Sequence, residues 1–365
     1  TPQRRAEQPP PPPELPAIEA DVREVLLKLM SKPNIGSKRA IYERYDWGVG
    51  GRTVGPPGFY DAAVIWLRDG TMRGFAAAVH GNPRYTKLDP YNGAALGLSE
   101  AYRRVAAVGA EPVAALDNVN SGNPEKPWQH GYTVQMIKGL AWAASELGIP
   151  VVGGNVSLYN EDSRGNMVDP VTTVLVLGRV HDVAKALPNA LRCGGMIVVA
   201  GETRPDLGGS EAAELLLGRP AGRPPKPRLA EERRLAKLAA VASSKGLACS
   251  AHSVGLGGLL VAVAKMAVRG GLGASVDIAK ACGECTFFEA SFSETPARIV
   301  FEVPPDRLSE FAEAAKAHGV PVALLGRATG SGKLAVSFHG TRFSVSLDEL
   351  AEAYDSALRR LEGVA

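Results

Sequence analysis

Apolar runs alternate with segments of helically spaced apolar residues along most of this chain, and Gly and Pro separate them. Apolar residues recur every three or four positions over residues 21–31, which predicts a helix. Apolar runs bounded by turn residues predict strands. In the first half, the expected strands are 61–67, 74–79, 111–119, 149–152 and 172–180, and the expected helices are 93–108 and 129–147. A unit of helix, glycine, x-Pro and strand occurs twice, because Gly caps a helix and Pro prevents its continuation.

The second half has the same mixed pattern. Its expected strands are 196–200, 298–303 and 320–325, and its expected helices are 211–217, 229–245, the segment after residues 257–258, 306–318 and a last helix after Ser346. Ser346 and Glu349 have capping-box spacing. A chain of 365 residues exceeds one ordinary core, so we expect two domains of the α/β (α+β) class. The predicted divisions are a Pro-rich linker at 1–20, a first domain at 21–185 and a second at 190–365.

Composition excludes several classes of protein. The chain is 45% hydrophobic and 22% charged, with a net charge of +3 distributed along its length. This is typical of a globular protein and gives no basic stripe for nucleic acid. No apolar run reaches membrane-spanning length, so we expect no membrane partner, and the low number of cysteines fits a cytoplasmic compartment. Five prolines at 9–13 predict an extended linker that stays outside the core, and hence a C-terminal part of a longer polypeptide or assembly.

The four cysteines give no metal-ligand pattern. Cys193 and Cys249 are isolated in sequence, and we expect both to be buried. Cys282 and Cys285 form a single CxxC, whereas a zinc site needs a second pair or suitably spaced histidines. We expect a loop there, with its role left open.

Residues 151–161 are the strongest candidate for chemistry. An apolar strand is predicted to enter a turn at Gly153 and Gly154, followed by Asn155 and Ser157. Glycine amides can approach a phosphate, and side-chain oxygens can bind a hard cation. The pattern therefore predicts a site for a nucleotide phosphate and Mg²⁺. A strand that ends in a polar turn would explain the same residues.

Two further loops carry candidate residues. Residues 80–85 are read as a Pro-rich loop in which Arg84 pairs with phosphate and His80 carries a proton; a solvated loop is the alternative. Asp117 lies at a predicted strand end, where it could bind a nucleotide hydroxyl or a metal. An Asx-rich turn is the alternative there.

Together these segments resemble the C-terminal half of the large subunit of phosphoribosylformylglycinamidine synthase, a purine-pathway amidotransferase of the aminoimidazole ribonucleotide synthase-like superfamily. The resemblance extends from about residue 21 to the C-terminus. It rests on SKPNIGS (31–37), YERYD (42–46), NPRY (82–85), LDPY (88–91), GNPEKP (122–127), GNVSLYNE (154–161), LGGS (207–210) and FSE (292–294).

The resemblance implies a two-domain module whose N-terminal, ATP-binding α/β domain pairs with that of another module around a barrel, followed by a C-terminal α/β domain. It implies a ligase that uses ATP, Mg²⁺ and ammonia from glutamine to convert formylglycinamide ribonucleotide into the amidine. The implied partners are the N-terminal half of the synthase, a glutaminase subunit and a small ancillary subunit. A lone half with exposed barrel strands would form a homodimer.

The resemblance also assigns residues. Asp117, Gly154 and Asp61 match ATP contacts, Asn155 matches an Mg²⁺ ligand, and Ser157 matches a substrate contact. Arg84 is expected to bind substrate as well. The family's catalytic histidines lie in the first half, so no catalytic residue is expected here.

Two departures bear on the site that this half nucleates itself. Asn82 stands where the first-half copy has the proposed histidine base, and an amide cannot accept a proton at neutral pH. Ser253, Gly255 and Leu256 replace family residues that include carboxylates, so His252 is expected to be a packed or hydrogen-bonded residue rather than a base. A non-catalytic nucleotide-binding scaffold therefore stays open. A self-sufficient ATP-dependent enzyme of the superfamily is a third alternative, against which NPRY and GNVSLYNE argue.

Overall fold

The computed structural model describes residues 6–359. Residues 1–5 of the predicted linker and 360–365 of the predicted second domain lie outside the described residues. Within the described part, helices and strands form two α/β units, each built on its own sheet. The predicted α/β (α+β) class is confirmed.

The first unit contains a five-stranded sheet in the described residues. The elements of this part of the chain are α1 (Val22–Met30), α2 (Arg39–Tyr42), β1 (Ala63–Trp66), β2 (Gly74–His80), α3 (Pro83–Leu88), α4 (Pro90–Ala107), β3 (Glu111–Asn120), α5 (Pro127–Leu147), β4 (Val151–Ser157) and β5 (Val171–Val180). The strand order is β1-β2-β5-β3-β4, and only β3 and β4 pair in parallel. Helix α4 packs on β2 and β5. Strand β4, which carries the first part of the predicted site at 151–161, therefore lies at an edge of the sheet.

The second unit is larger. Its elements are β6 (Met196–Ala200), α6 (Glu211–Leu217), α7 (Leu229–Ser244), β7 (Ser250–Ser253), α8 (Gly258–Gly270), β8 (Gly273–Asp277), α9 (Phe287–Phe292), β9 (Ile299–Val303), α10 (Leu308–Ala317), β10 (Val322–Thr329), β11 (Lys333–Phe338), β12 (Thr341–Ser346) and α11 (Leu347–Arg359). The seven strands described have the order β12-β11-β8-β10-β6-β9-β7. The predicted capping box is confirmed, since Ser346 and Glu349 hydrogen-bond reciprocally.

Two local predictions are wrong. Gly153 and Gly154 do not form a turn: they lie inside β4, paired with Leu116 and Asp117 of β3. The segment after His80 is not a loop throughout, because α3 begins at Pro83 and Asn82 caps it. In both cases pairing or capping organises a stretch whose Gly and Pro content suggested irregular structure.

The core of the second unit also contains helix α1. Val25, Leu26 and Leu29 are buried in one cluster with residues of β6 and α8. The spatial unit thus differs from the predicted sequence domain, which placed residues 21–31 in the first domain. The extended segment before α1 also packs, contrary to expectation: Leu15 contacts this core, and Gly222 donates a backbone hydrogen bond to Pro13.

The cysteines are paired rather than isolated. Cys193, just before β6, forms a disulfide with Cys249, just before β7, with 6.4 Å between their Cα atoms. Cys193 is exposed, contrary to expectation. Cys282 pairs with Cys285 in the loop that precedes α9, where a loop was predicted.

The two faces of the first sheet differ in cover. Ala76 and Ala78 of β2 point to the helix side and are buried, whereas Phe75 and Val79 on the opposite side are 39% and 54% exposed. Side chains alternate along a strand, so this second side is a continuous open face. Among the described residues, no helix has both the length and the apolar character needed to cross a membrane.

Candidate functional site

The carboxyl ends of β3 and β4 bring four polar residues together on the open face. Asn118 is the register partner of Asn155, and Asn120 is the partner of Ser157. Asn120 donates to Asn118 Oδ1 at 3.0 Å, and Asn155 Nδ2 lies 3.5 Å from the same oxygen. We call these four residues the amide patch. It places the predicted Asn155 and Ser157 side by side at the end of parallel strands, where α/β proteins commonly bind ligands.

Asp117 and Gly154 lie on the other face of the same strands. They are register partners, and the Asp117 carboxylate occupies the space where a Cβ at residue 154 would stand. Glycine at 154 thus makes room for the carboxylate rather than for a turn. Asp117 is separated from Asn155 by the sheet, so this sheet alone does not unite all the predicted residues in one cleft. The two-residue period of a strand could have revealed this split.

Two loops brace the amide patch. Asn160 donates to the Ser121 carbonyl at 2.9 Å and accepts from Ser157 Oγ at 3.2 Å. Glu161 accepts hydrogen bonds from Lys126 and Gln129, and the bond from Lys126 lowers the pKa of Glu161. The segments GNPEKP and GNVSLYNE, singled out in the sequence, therefore hold each other in place. The side chains of Asn160 and Glu161 are therefore engaged in hydrogen bonds that stabilise these loops.

Asp61 occupies a different location, between the two units. Its Oδ1 lies 2.5 Å from His252 Nδ1 and accepts from Asn189 at 3.0 Å, while Oδ2 accepts from the Ser253 amide at 2.6 Å. Burial alone would raise the pKa of Asp61, but His252 and Ser253 outweigh it and hold that pKa below its usual range. Burial lowers the pKa of His252, although the Asp61 carboxylate opposes the shift. The prediction that His252 is a hydrogen-bonded, packed residue is confirmed.

A polar cavity of about 120 Å³ adjoins Asp61. Carboxylates and cations both line it, together with His252, Ser253 and Gly255; the charged residues are Asp61, Glu100, Arg104, Lys265 and Arg269. Glu100 bonds to both Arg103 and Arg104. Burial would raise the pKa of Glu100, but His80, Arg103 and Arg104 outweigh it and lower that pKa to about 2.

Arg84 also lies at the boundary between the units rather than in a solvated loop. Its Nη1 is 2.5 Å from Glu211 and 3.3 Å from Glu214, and its Nε donates to the Gly209 carbonyl at 3.2 Å. Its Nη2 is buried and has no hydrogen bond within residues 6–359. No local sequence pattern indicates this ion pair, because its acidic partners lie more than a hundred residues away. A role in substrate binding stays a prediction and would have to use Nη2.

His80 and Asn82 are unsuited to proton transfer near neutral pH. Burial lowers the pKa of His80 to about 4, with Arg104, Arg103 and Arg84 adding to the effect and Glu100 opposing it. Asn82 Oδ1 accepts from the Tyr85 amide at 3.3 Å and so caps α3. The described residues around NPRY thus supply interface contacts rather than a base.

Metal ligands are sparse in the described part of the chain. It contains no cluster of three or more His, Cys, Asp or Glu residues arranged to hold an ion. The amide patch offers neutral oxygens, which Mg²⁺ accepts as part of a shell that normally also contains carboxylates. Asn155 thus fits an Mg²⁺ site only as one ligand among others supplied from elsewhere.

Family models match both units. The model for the N-terminal domain of AIR synthase related proteins matches residues 60–180, and the model for their C-terminal domain matches residues 193–339. Together they account for most of the chain.

Curated relatives agree with these matches. The chain is 43% identical over 354 residues to phosphoribosylformylglycinamidine synthase subunit PurL of Caldivirga maquilingensis, which covers 94% of this chain and 48% of that protein. It is 41% identical to the PurL subunit of Thermus thermophilus, with 95% and 47% covered. The chain therefore spans about half the length of the curated relatives it matches.

Solved structures show the same fold. Thermotoga maritima PurL complexed with FGAR has a TM-score of 0.75 at 22% identity, covering 92% of this chain and 54% of that one. The structure described as AaThiL complexed with AMPPCP and TMP has a TM-score of 0.57 at 15% identity, covering 89% and 97%.

Proposed function

This chain belongs to the AIR synthase related family, and from that premise we propose that it is the C-terminal half of an ATP-dependent phosphoribosylformylglycinamidine synthase. In this proposal it acts in purine biosynthesis as part of a ligase that converts formylglycinamide ribonucleotide, ATP and ammonia into the amidine, ADP and phosphate. The observation that supports it most is the amide patch, which stands on an open apolar sheet face and contains the positions that match the family's Mg²⁺ ligand and substrate contact.

The open face explains why a second half is needed. Phe75 and Val79 leave apolar surface exposed on the open face, and Val152 and Val156, which point to the opposite face of edge strand β4, are exposed as well. An uncovered apolar face and a free strand edge favour pairing with another sheet. We propose that the N-terminal half of the synthase covers this face, closes the barrel and adds the catalytic histidines and the missing carboxylates. A second copy of this chain would occupy the face when that half is absent.

The proposed roles follow from oxygen chemistry. Mg²⁺, when bound, neutralises charge on the transferring phosphoryl group. Asn155 would supply its amide oxygen to the ion, and Ser157 would orient the ribonucleotide through its hydroxyl. Asp117 and Gly154 serve ATP from the other face of β3 and β4, and Asp61 and Arg84 complete the proposed contacts at the boundary between the units. The substrate amide oxygen is phosphorylated, and ammonia then displaces phosphate, so that the bond to oxygen breaks as the bond to nitrogen forms.

The proposed assembly lies in the cytoplasm and includes a glutaminase subunit as the source of ammonia and a small ancillary subunit. A non-catalytic scaffold is the second candidate for the isolated chain. Asn82 favours it, because its side chain caps α3 and cannot act as a base. The two candidates differ in whether the amide patch takes part in turnover.

Reconstitution tests the proposal. The chain is mixed with the separately expressed N-terminal half from the same source, and ADP release is measured with ammonia, ATP and formylglycinamide ribonucleotide. We expect turnover only in the mixture. Turnover by this chain alone would overturn the half-enzyme proposal, and a mixture that forms a complex but stays inactive with this substrate would overturn the proposed reaction.

A further inference from the structure

The cavity beside Asp61 contains more cationic groups than its carboxylates can balance. Asp61 is engaged by His252, Asn189 and Ser253, and Glu100 is engaged by Arg103 and Arg104. Lys265 and Arg269 also face the cavity. Neither forms an ion pair with a carboxylate among residues 6–359.

Both cations have donors to spare. Arg269 donates from Nη2 to the Tyr354 hydroxyl at 2.8 Å, but its Nη1 is buried and has no partner in the described residues. Lys265 has no hydrogen bond to any described residue. Burial, with Arg269 and Arg104 nearby, holds the pKa of Lys265 well below its usual value. A buried guanidinium donor normally pairs with an anion, so Arg269 Nη1, with the half-buried Lys265 beside it in the same cavity, indicates a missing acidic group.

The size of the cavity limits what that group can be. A volume of about 120 Å³ is well below the roughly 300–1,000 Å³ of pockets that enclose drug-sized ligands. The space inside it accommodates one tetrahedral oxyanion. We propose that this cavity binds a small tetrahedral oxyanion of the phosphate class, held directly by Lys265 and Arg269 without a divalent cation.

The residues around the cavity argue against a metal-nucleotide complex. Positions 253, 255 and 256 hold Ser, Gly and Leu and so supply no carboxylate. Gly255 has no room for a side chain because the Glu100 carboxylate occupies that space. The two carboxylates that remain, Asp61 and Glu100, already accept bonds from protein donors. In this chain the positive charge that binds the anion therefore comes from side chains, and the inference does not depend on the proposed reaction.

Calorimetry with inorganic phosphate tests the site. The full chain is titrated in buffer that contains EDTA, alongside Lys265→Met and Arg269→Met, with Lys237→Met on the exposed side of α7 as the matched control. We expect saturable binding by the wild-type chain and the control. Each cavity variant should bind at least about tenfold more weakly, the loss expected for one charge-assisted contact.

Thermal unfolding without phosphate separates binding from folding. Lys265→Met removes a half-buried cation that has no ion-pair partner among the described residues, so its melting temperature should equal or exceed that of the wild type, while the rise in melting temperature on adding phosphate disappears. Three results would overturn the proposal: no binding of phosphate to the wild type, equal binding by both cavity variants, or binding of ADP at this cavity that requires Mg²⁺ and is not displaced by phosphate. An adventitious ion would bind the control and both cavity variants alike.

Discussion

Asp61 Oδ1 lies 2.5 Å from His252 Nδ1, so a carboxylate beside the first strand of one unit is held by a histidine of the other. The Asp61 side chain is only 2% exposed. The same carboxylate accepts hydrogen bonds from the Ser253 amide and the Asn189 side chain, so it links the two units.

Asp61→Asn should therefore destabilise the protein without any nucleotide present. The charge is lost and an amide nitrogen faces donors, so we expect the free energy of unfolding to fall by about 2–4 kcal/mol. Denaturant titration measures it. Asp69→Asn, at an exposed carboxylate that bonds to its neighbours Thr71 and Arg73, should lower it by less than Asp61→Asn does. An equal free energy of unfolding in Asp61→Asn and the wild type would show that the hydrogen bonds of this carboxylate do not stabilise the protein.

Asn155→Ala should separate function from folding. Asn155 is exposed on an edge strand, and its one described side-chain contact is a long one of 3.5 Å to Asn118. We expect a change in unfolding free energy within about 0.5 kcal/mol. We expect turnover of the reconstituted complex to fall by about a hundredfold or more if a metal ligand is lost. Asn166→Ala, in an exposed loop, is the control, and equal turnover of the two variants would contradict the role of Asn155.

Val79→Glu should disrupt pairing through the open face. A charge placed on a surface that becomes buried must be desolvated without a partner, which opposes association. Sedimentation should show that the wild-type chain self-associates and that the variant is monomeric. Val168→Glu is the control, since Val168 is also exposed but lies outside the sheet. A monomeric wild-type chain would argue against pairing of this face between copies.

His80 should make the protein sensitive to acid. The unfolded chain protonates this histidine near pH 6.5, whereas in the folded protein its pKa is lowered to about 4. Between these values the unfolded state binds more protons, so the stability present at neutral pH is lost as the pH falls. The full effect is about 3 kcal/mol.

Denaturant titrations from pH 7 to about 4 measure this slope. His80→Asn should reduce the pH dependence of the free energy of unfolding by the contribution of about one bound proton. His181→Asn, at a side chain that is 70% exposed, is the control and should keep the wild-type slope. An unchanged slope in His80→Asn would exclude this histidine as the cause.

The disulfide between Cys193 and Cys249 should stabilise more than the one between Cys282 and Cys285. The first closes a separation of 56 residues and the second a separation of 3. Constraint of the unfolded chain is worth about 4 kcal/mol for the long loop and about half that for the short one. Cys249→Ser and Cys282→Ser, compared by denaturant titration with and without a reductant, measure the difference. The reverse order of stabilities would contradict the loop-entropy argument.

The sequence predicted most of the regular elements because their signals are local. The helix that ends at Gly148 and the capping box at Ser346 are both present, and each depends on residues within one or two turns. Strands β7, β8, β11 and β12 were not predicted, since their short runs acquire a strand's character only from neighbours distant in sequence. The two disulfides were missed for the same reason.

The candidate site was predicted in part. Asn155 and Ser157 do share a face, but the expected turn at Gly153 hid the alternation that places Asp117 on the other side. For Arg84, the residue type indicated a bound anion, whereas the anion found is Glu211 of the second unit. The residue type thus indicated that Arg84 pairs with an anion, but only the fold shows which anion that is.

Helix α1 gives the chain an unusual path. The Arg23 guanidinium bonds to Glu349 of α11 at 2.5 Å, and the Ser37 amide donates to the Tyr354 carbonyl at 2.8 Å. Helix α1 thus belongs to the second unit, although the chain builds the first unit immediately after it and only then returns to the second. Dividing the gene near residue 190 would therefore disrupt both fragments. The N-terminal fragment would expose the apolar side of α1, and the C-terminal fragment would have a cavity in its core where α1 packs. A fragment designed for separate expression of the second unit should instead carry residues 21–37, fused through a linker to residues 190–365.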